Sequence, residues 1–143
     1  MGPGEISTNR TLFRFGLGSL GAVQALLGIY ALFCPRSFYE DFPFGRGWVE
    51  ALPAFNEHLL RDVGGLFLGI GLLLLAAAYW LDRRVTAIAL VSYLAYSLPH
   101  AIYHVFNLEV YGTGDAVANV LTLAGTVVLP ALLLVLLARE RER

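Results

Sequence analysis

The chain has 143 residues, of which 57% are hydrophobic and 15% are charged, and its formal net charge is −1. A soluble domain usually has about 45–50% apolar and about 25% charged residues, so this composition favours a protein that lies in a lipid bilayer. The charge balance lacks the excess of basic residues that nucleic-acid binding requires. Because Cys34 is the only cysteine, an internal disulfide is excluded.

Four apolar segments are each long enough to cross a bilayer, which takes about 20 residues of helix. They are residues 12–33, 59–81, 85–106 and 116–138. Short polar connectors separate the last three segments, whereas the first connector, residues 34–56, is long. The sequence therefore predicts one integral membrane domain, residues 1–143, with an all-α fold: a transmembrane four-helix bundle.

The arginines predict the orientation of this bundle. Most of them flank the spans at one end, and these are Arg10, Arg14, Arg83, Arg84, Arg139, Arg141 and Arg143. The first connector, at the other end, has only Arg36 and Arg46. Since positive charge marks the cytoplasmic side, we expect a multi-pass protein of the cell membrane with both termini in the cytoplasm.

The long first connector is rich in aromatic residues with acids between them. These aromatics are Phe38, Tyr39, Phe42, Phe44 and Trp48. Such side chains are typical of the depth at which lipid head groups lie. We therefore predict a surface-lying or re-entrant segment that caps the outer end of the bundle, rather than an ordinary solvated loop.

Polar residues occur near the outer end of three different spans. They are His58 and Asp62 in the second span, His100 and His104 in the third, and Asp115 and Asn119 in the fourth. Counting 1.5 Å per residue along each helix brings them to one layer. Because ionisable groups in a membrane usually face the bundle interior or a wet cavity and pair there, we predict a polar site in the outer half of the bundle.

Helical spacing adds detail to this layer. His58 and Asp62 are four residues apart, as are His100 and His104, so each pair shares a helix face. Glu57 and Arg61 have the same spacing and predict a local ion pair that supports the site. A broad stripe on the third span carries further polar groups, namely Tyr93, Tyr96, Ser97, Tyr103 and Asn107.

Small residues in the first two spans predict close helix packing. They are Gly18, Gly21, Ala25 and Gly28 in the first span, and Gly64, Gly65, Gly69 and Gly71 in the second. The same glycine faces would also permit a homo-oligomer. Gln24 is a strongly polar residue in the middle of the first span, and a hydrogen bond to another helix would explain it.

Three interpretations of the polar layer stay open. The first is a divalent metal held by His58, Asp62, His100 and His104, with haem as a weaker alternative. The second is acid–base catalysis by these residues on a lipophilic small molecule such as a quinone, with cofactor-binding roles for Glu57, Arg61, Asp115 and Asn119. The third is a structural or accessory subunit whose polar network only fixes helix packing.

Four motifs occur together in this chain: SFYEDFP at residues 37–43, NEHLLRDVG at 56–64, LPHAIYH at 98–104 and DAVANV at 115–120. In this order they resemble a family of small actinobacterial four-span membrane proteins, which is in turn similar to the DoxX-like membrane proteins. The resemblance implies a four-helix membrane bundle and, by analogy, redox or quinone chemistry. We therefore expect a membrane protein that binds a lipophilic molecule or a metal at the polar layer.

Overall fold

The computed structural model describes residues 6, 8–52 and 54–139. Within this part of the chain, regular structure is entirely helical. The helices are α1 (Arg10–Phe33), α2 (Pro35–Asp41), α3 (Glu57–Trp80), α4 (Arg83–Val105) and α5 (Thr113–Arg139), with a single 3-10 turn at Leu108–Val110. Four of them, all except α2, are long and apolar enough to cross a membrane. The predicted all-α four-helix bundle is confirmed.

All four long helices begin two or three residues earlier than the apolar pattern predicted, and in two of them a polar side chain caps the start. Asn56 accepts a hydrogen bond from the backbone amide of Leu59 at 3.0 Å, so α3 starts at Glu57. Asp82 accepts from the amides of Arg84 and Val85, both at 2.9 Å. These bonds satisfy amides that the first turn of a helix leaves without partners, so the helix extends into the charged flank.

The helices α1 and α3 pack with their backbones in close contact, and glycine makes this possible. A Cβ atom on Gly64 would lie 2.5 Å from the backbone nitrogen of Leu32, and one on Gly71 would lie 2.6 Å from that of Ala25. Gly21 and Gly28 face the backbone of α3 in the same way. Gly18, Gly65 and Gly69 have open space around them, so only some of the predicted small residues form this contact.

The apolar core lies at the end of the bundle where the arginines cluster, which we call the arginine end. Its members come from all four long helices and include Phe13, Leu17, Leu74, Leu90 and Leu133. Here the start of α1 meets the end of α3, since the amide of Ile6 donates to the carbonyl of Leu81 at 2.9 Å. Arg10, Arg14, Arg83, Arg84 and Arg139, the described members of the predicted arginine cluster, lie near the helix ends at this side of the bundle.

At the opposite end, residues 35–52 fold over the bundle, and we call them the cap segment. The buried side chain of Phe38 packs edge-on against Tyr30 of α1, with ring centroids 5.4 Å apart, and stacks on Phe42 at 5.0 Å. Phe44, by contrast, is fully exposed. The segment covers this end of the bundle, as predicted, and its position at the depth of the lipid head groups stays a prediction.

Candidate functional site

A cavity of about 280 Å³ lies between the four long helices, beneath the cap segment. Apolar side chains from the cap segment and from α1, α3 and α5 form most of its wall. They are Val23, Leu27, Phe38, Phe42, Val49, Leu52, Leu60, Val63, Phe67 and Leu123. The packed core fills the arginine end, so the cavity occupies the other half of the bundle. A predominantly apolar, concave space with a few polar groups is typical of a small-molecule site.

Polar side chains interrupt this apolar wall at several points. They are Gln24 of α1, Trp48 of the cap segment, Tyr93, Tyr96, His100 and His104 of α4, and Asn119, Thr122 and Thr126 of α5. Four residues of the stripe that the sequence predicted on the third span thus line the cavity, namely Tyr93, Tyr96, His100 and His104. Tyr103 of the same stripe is instead 47% exposed and does not line the cavity.

Two buried amides on the wall have polar atoms without a partner. Gln24 and Asn119 are each 3% exposed. The Nε2 atom of Gln24 and the Oδ1 atom of Asn119 make no hydrogen bond within the described part of the chain. The sequence predicted a hydrogen bond from Gln24 to another helix, and its Nε2 atom makes none within the described part of the chain. An unsatisfied buried polar atom costs about 1–3 kcal/mol, so such atoms call for an explanation.

Rings on α4 and on the loop before α5 form a continuous series, and those of Tyr96, His100 and His104 line the cavity. Tyr96 stacks on His100 with centroids 5.3 Å apart, and His100 meets the ring of His104 edge-on at 4.6 Å. His104 stacks on Tyr111 at 6.3 Å, and the Tyr111 hydroxyl lies 3.4 Å from His104 Nδ1. Imidazole groups are thus held against the cavity by aromatic packing.

The cap segment is joined to α5 by hydrogen bonds to one carboxylate. Arg46 and Trp48 both donate to Oδ1 of Asp115, the indole at 2.9 Å. The hydroxyl of Tyr111 donates to the backbone carbonyl of Trp48 at 3.0 Å. Burial holds the pKa of the Tyr111 hydroxyl above its ordinary value, so it stays protonated and able to donate. Asp115, predicted to close the site from the fourth span, instead anchors the cap segment over it.

The second-span residues of the predicted layer lie outside the cavity. The Nε2 atom of His58 is 3.3 Å from Oδ2 of Asp62, so the two side chains pair as their spacing suggested, but they are 88% and 57% exposed. Neither residue lines the cavity with His100 and His104. Helix α3 turns its glycine face to α1 and its Val63 and Phe67 to the cavity, which leaves this pair on the outer surface.

The predicted metal set is therefore not brought together. Among residues 6, 8–52 and 54–139 there is no group of three or more His, Cys, Asp or Glu side chains placed to hold a metal ion. His100 and His104 adjoin each other, but His58 and Asp62 point elsewhere. The four side chains that the depth count put at one level are thus apart in the structure, because the count fixes level and not direction around the helix.

The other predicted pair, Glu57 and Arg61, forms the ion pair that its spacing indicated. Arg61 Nη2 lies 2.8 Å and Nε lies 3.0 Å from Oε1 of Glu57. The same guanidinium donates to the carbonyl of Leu32 at the end of α1. Arg61 thus ties α3 to α1, which is a structural contact, and neither residue lines the cavity.

Sequence reasoning gave no site role to the cap residues Trp48 and Leu52 or to Thr122 and Thr126 of α5. The aromatic composition of the connector did indicate a cap, but nothing in its pattern showed which rings turn inward. Thr122 and Thr126 lie three and seven residues beyond Asn119, on the same helix face, and that spacing was the available signal.

Comparisons of this chain with protein-family models, with curated proteins and with solved structures found no match. The class of protein therefore follows from the fold alone. The chain is an α-helical membrane protein with four candidate spans, and it has a capped cavity in one half of the bundle.

Proposed function

We propose that this protein binds a lipophilic small molecule in the capped cavity. The single observation that carries the proposal is an apolar cavity of about 280 Å³ whose lining residues include Gln24 and Asn119, each of which has a buried amide atom without a partner. A ligand with an apolar body would fill the space, and its polar group would satisfy these atoms. His100 and His104 also line the cavity, so an acid–base role in the same site remains part of the proposal.

The proposed ligand reaches the site from a lipid environment. The arginine end is proposed to face the cytoplasm, which puts both termini there and the cap segment at the outer surface. The cavity would then lie in the outer half of the cell membrane.

Self-association through the open glycines of α3, Gly65 and Gly69, is a separate prediction that cross-linking in membranes would test.

The test is to fill the cavity and to measure what the purified protein carries. Protein purified in mild detergent is extracted with organic solvent, and the extract is analysed by mass spectrometry. We expect a lipophilic compound at close to one equivalent in the wild type and at least a ten-fold loss in Leu123→Trp, since Leu123 lines the cavity. The matched control is Leu121→Trp on the same helix, where the side chain is 68% exposed and outside the cavity.

Equal recovery of the compound from both variants would contradict the proposal. So would the absence of any enriched compound in the wild type relative to a detergent-matched membrane protein. Elemental analysis of the same preparation tests the metal hypothesis independently, because a metal lost in His100→Ala but kept in His58→Ala would identify the α4 histidines as ligands.

A structural function is supported for one subset of the predicted residues. Arg61 connects Glu57 of its own helix to the carbonyl of Leu32 on α1. Replacing Arg61 removes this inter-helix contact without altering the cavity wall. Arg61→Ala should therefore lower the melting temperature and leave the co-purified compound unchanged, whereas loss of the compound at unchanged stability would assign Arg61 to the binding site.

A further inference from the structure

Two residues of the cavity wall are exposed to the surroundings. Of the residues that line it, only Val23 on α1 and Thr122 on α5 are exposed, and the others are buried or half-buried. Val23 is 56% exposed. At 1.5 Å per residue, both lie roughly 15 Å from the cap end of their helices. Since the hydrocarbon core of a bilayer is about 30 Å thick, this depth falls within the lipid tails.

These two residues lie on helices that touch each other only sparsely. Helix α1 packs mainly along α3, and α4 packs mainly along α5. Near the arginine end, α1 meets α5 where Gly16 faces Leu133. Beyond that contact both helices line the cavity, and we call the boundary between them, where Val23 and Thr122 lie, the α1–α5 seam.

The size of the cavity limits what can lie wholly inside it. A cavity of about 150 Å³ in another protein accommodates benzene. The present cavity, at about 280 Å³, therefore accommodates a group of one or two rings and not an entire lipid. Any long apolar chain attached to such a group has to leave the cavity. The exposed residues of the α1–α5 seam lie at the depth where lipid tails would receive such a chain.

Two residues of the cavity wall, Gln24 and Asn119, have amide atoms without partners, and these atoms indicate the chemistry of the enclosed group. An amide side chain offers both a donor and an acceptor. The Nε2 atom of Gln24 is an unpaired donor, and the Oδ1 atom of Asn119 is an unpaired acceptor. A head group that both accepts and donates hydrogen bonds would pair with both, whereas a purely apolar ring would leave each atom buried and unsatisfied.

We propose that the ligand is an amphipathic membrane lipid with a ring-sized head group that donates and accepts hydrogen bonds. The head group binds in the cavity against Gln24 and Asn119, and the apolar chain passes out through the α1–α5 seam. This inference rests on the proposed ligand-binding function and adds the ligand class and the route, which runs from the bilayer and not from water through the cap segment.

The test uses a brominated dodecylphenol as the probe, because bromine quenches tryptophan on contact and phenol both donates and accepts hydrogen bonds. Trp48 lines the cavity, whereas the other tryptophan, Trp80, is 60% exposed at the arginine end. In the Trp80→Phe protein, reconstituted in lipid nanodiscs, Trp48 is the sole reporter. We expect its emission to be quenched saturably as the probe is added to the bilayer.

Two sets of variants in this background separate the head-group site from the route. Gln24→Met and Asn119→Leu should each weaken probe binding about ten-fold, and brominated dodecylbenzene should bind the unaltered site at least ten-fold more weakly than the phenol.

Val23→Phe with Thr122→Phe narrows the seam and should slow the onset of quenching at least ten-fold at a similar final level. The matched control pair is Leu26→Phe with Leu121→Phe, whose side chains are exposed outside the cavity.

Each failure has its own meaning. Equal binding of the phenol and the benzene overturns the head-group assignment, and an unchanged onset in the Val23 and Thr122 variant overturns the route. Where Asn119→Leu does not fold, Asn119→Ala takes its place, and circular dichroism with size-exclusion chromatography verifies each variant. If the proposed function itself is wrong, neither brominated probe quenches Trp48 saturably and no lipophilic compound co-purifies.

Discussion

Trp48 and Asp115 connect the cap segment to the beginning of α5, with the indole Nε1 donating to the carboxylate Oδ1 at 2.9 Å. Trp48 also lines the cavity. The position of the cap segment and the shape of the cavity wall are therefore set by the same side chain. Arg46 also donates to the carboxylate of Asp115, and the hydroxyl of Tyr111 donates to the backbone carbonyl of Trp48.

The first prediction concerns this anchor. Asp115→Ala removes the acceptor shared by Arg46 and Trp48, so the cap segment should detach more often. We expect trypsin to cleave after Arg46 several-fold faster than in the wild type, as followed by gel electrophoresis of the protein in detergent. The matched control is Glu109→Ala, an exposed acid in the preceding turn. Equal cleavage rates in all three proteins would contradict a role of Asp115 in anchoring the cap segment.

The second prediction concerns the glycine contact between α1 and α3. A Cβ on Gly64 would lie 2.5 Å from the backbone nitrogen of Leu32, which is backbone and cannot move aside alone. Gly64→Ala should therefore destabilise the protein by about 1–3 kcal/mol or more through overpacking. Gly69→Ala has nothing within 4 Å of the new methyl group and should be neutral or stabilising by up to about 1 kcal/mol.

Thermal unfolding of the two glycine variants in the same detergent measures this difference. A stability loss of similar size in both would mean that helix α3 does not approach α1 through Gly64 as described. The comparison uses the same substitution on the same helix, so differences in helix propensity cancel.

The third prediction concerns pH. Burial raises the pKa of Tyr111 in the folded state. As pH rises above the ordinary tyrosine pKa of about 10, the unfolded chain loses this proton first, and the folded state loses stability until the pH passes the folded pKa. At neutral pH, Tyr111→Phe should cost about 0.5–1.5 kcal/mol, since the hydroxyl no longer donates to the Trp48 carbonyl.

The stability advantage of the wild type over Tyr111→Phe should therefore shrink as pH increases beyond about 10. Chemical unfolding of both proteins across this alkaline range provides the measurement. If the stability advantage of the wild type instead grew with pH, the result would contradict a Tyr111 hydroxyl that is buried and donates a hydrogen bond, since burial disfavours its charged form.

The fourth prediction concerns orientation. Cys34 is the only cysteine of the chain, it is exposed, and it immediately precedes the cap segment. With the cap segment outside, a membrane-impermeant maleimide should label Cys34 in intact spheroplasts, and Cys34→Ser should abolish the signal. Labelling only after the membrane is broken would place the arginine end outside and would reverse the proposed topology.

Much of the fold was predictable because its causes are local. Four apolar segments of about 20 residues, separated by polar connectors, require four helices in a bilayer, since helices satisfy their own backbone hydrogen bonds. The structure agrees with this reading, and only the helix ends differ, by one to three residues, for example where Asn56 and Asp82 cap their helices. The aromatic content of the connector likewise indicated the cap segment.

The candidate site was predictable only in part. The spacing of His100 and His104 correctly put them on one face, and that face lines the cavity with Asn119. The same reasoning put His58 and Asp62 beside them, yet those two side chains pair with each other on the outside of α3. Counting along a helix gives depth, but the direction of a side chain depends on which face the neighbouring helix covers.

The sequence by itself determined that the chain forms four apolar helices, that arginines gather at one end, and that polar groups gather near the other. These features follow from composition and spacing along single helices. The tertiary structure decided which face of each helix turns inward. Because Gly28 and Gly64 bring α1 and α3 into backbone contact, α3 is rotated so that Val63 and Phe67 line the cavity and His58 does not. Only packing between helices could settle that rotation.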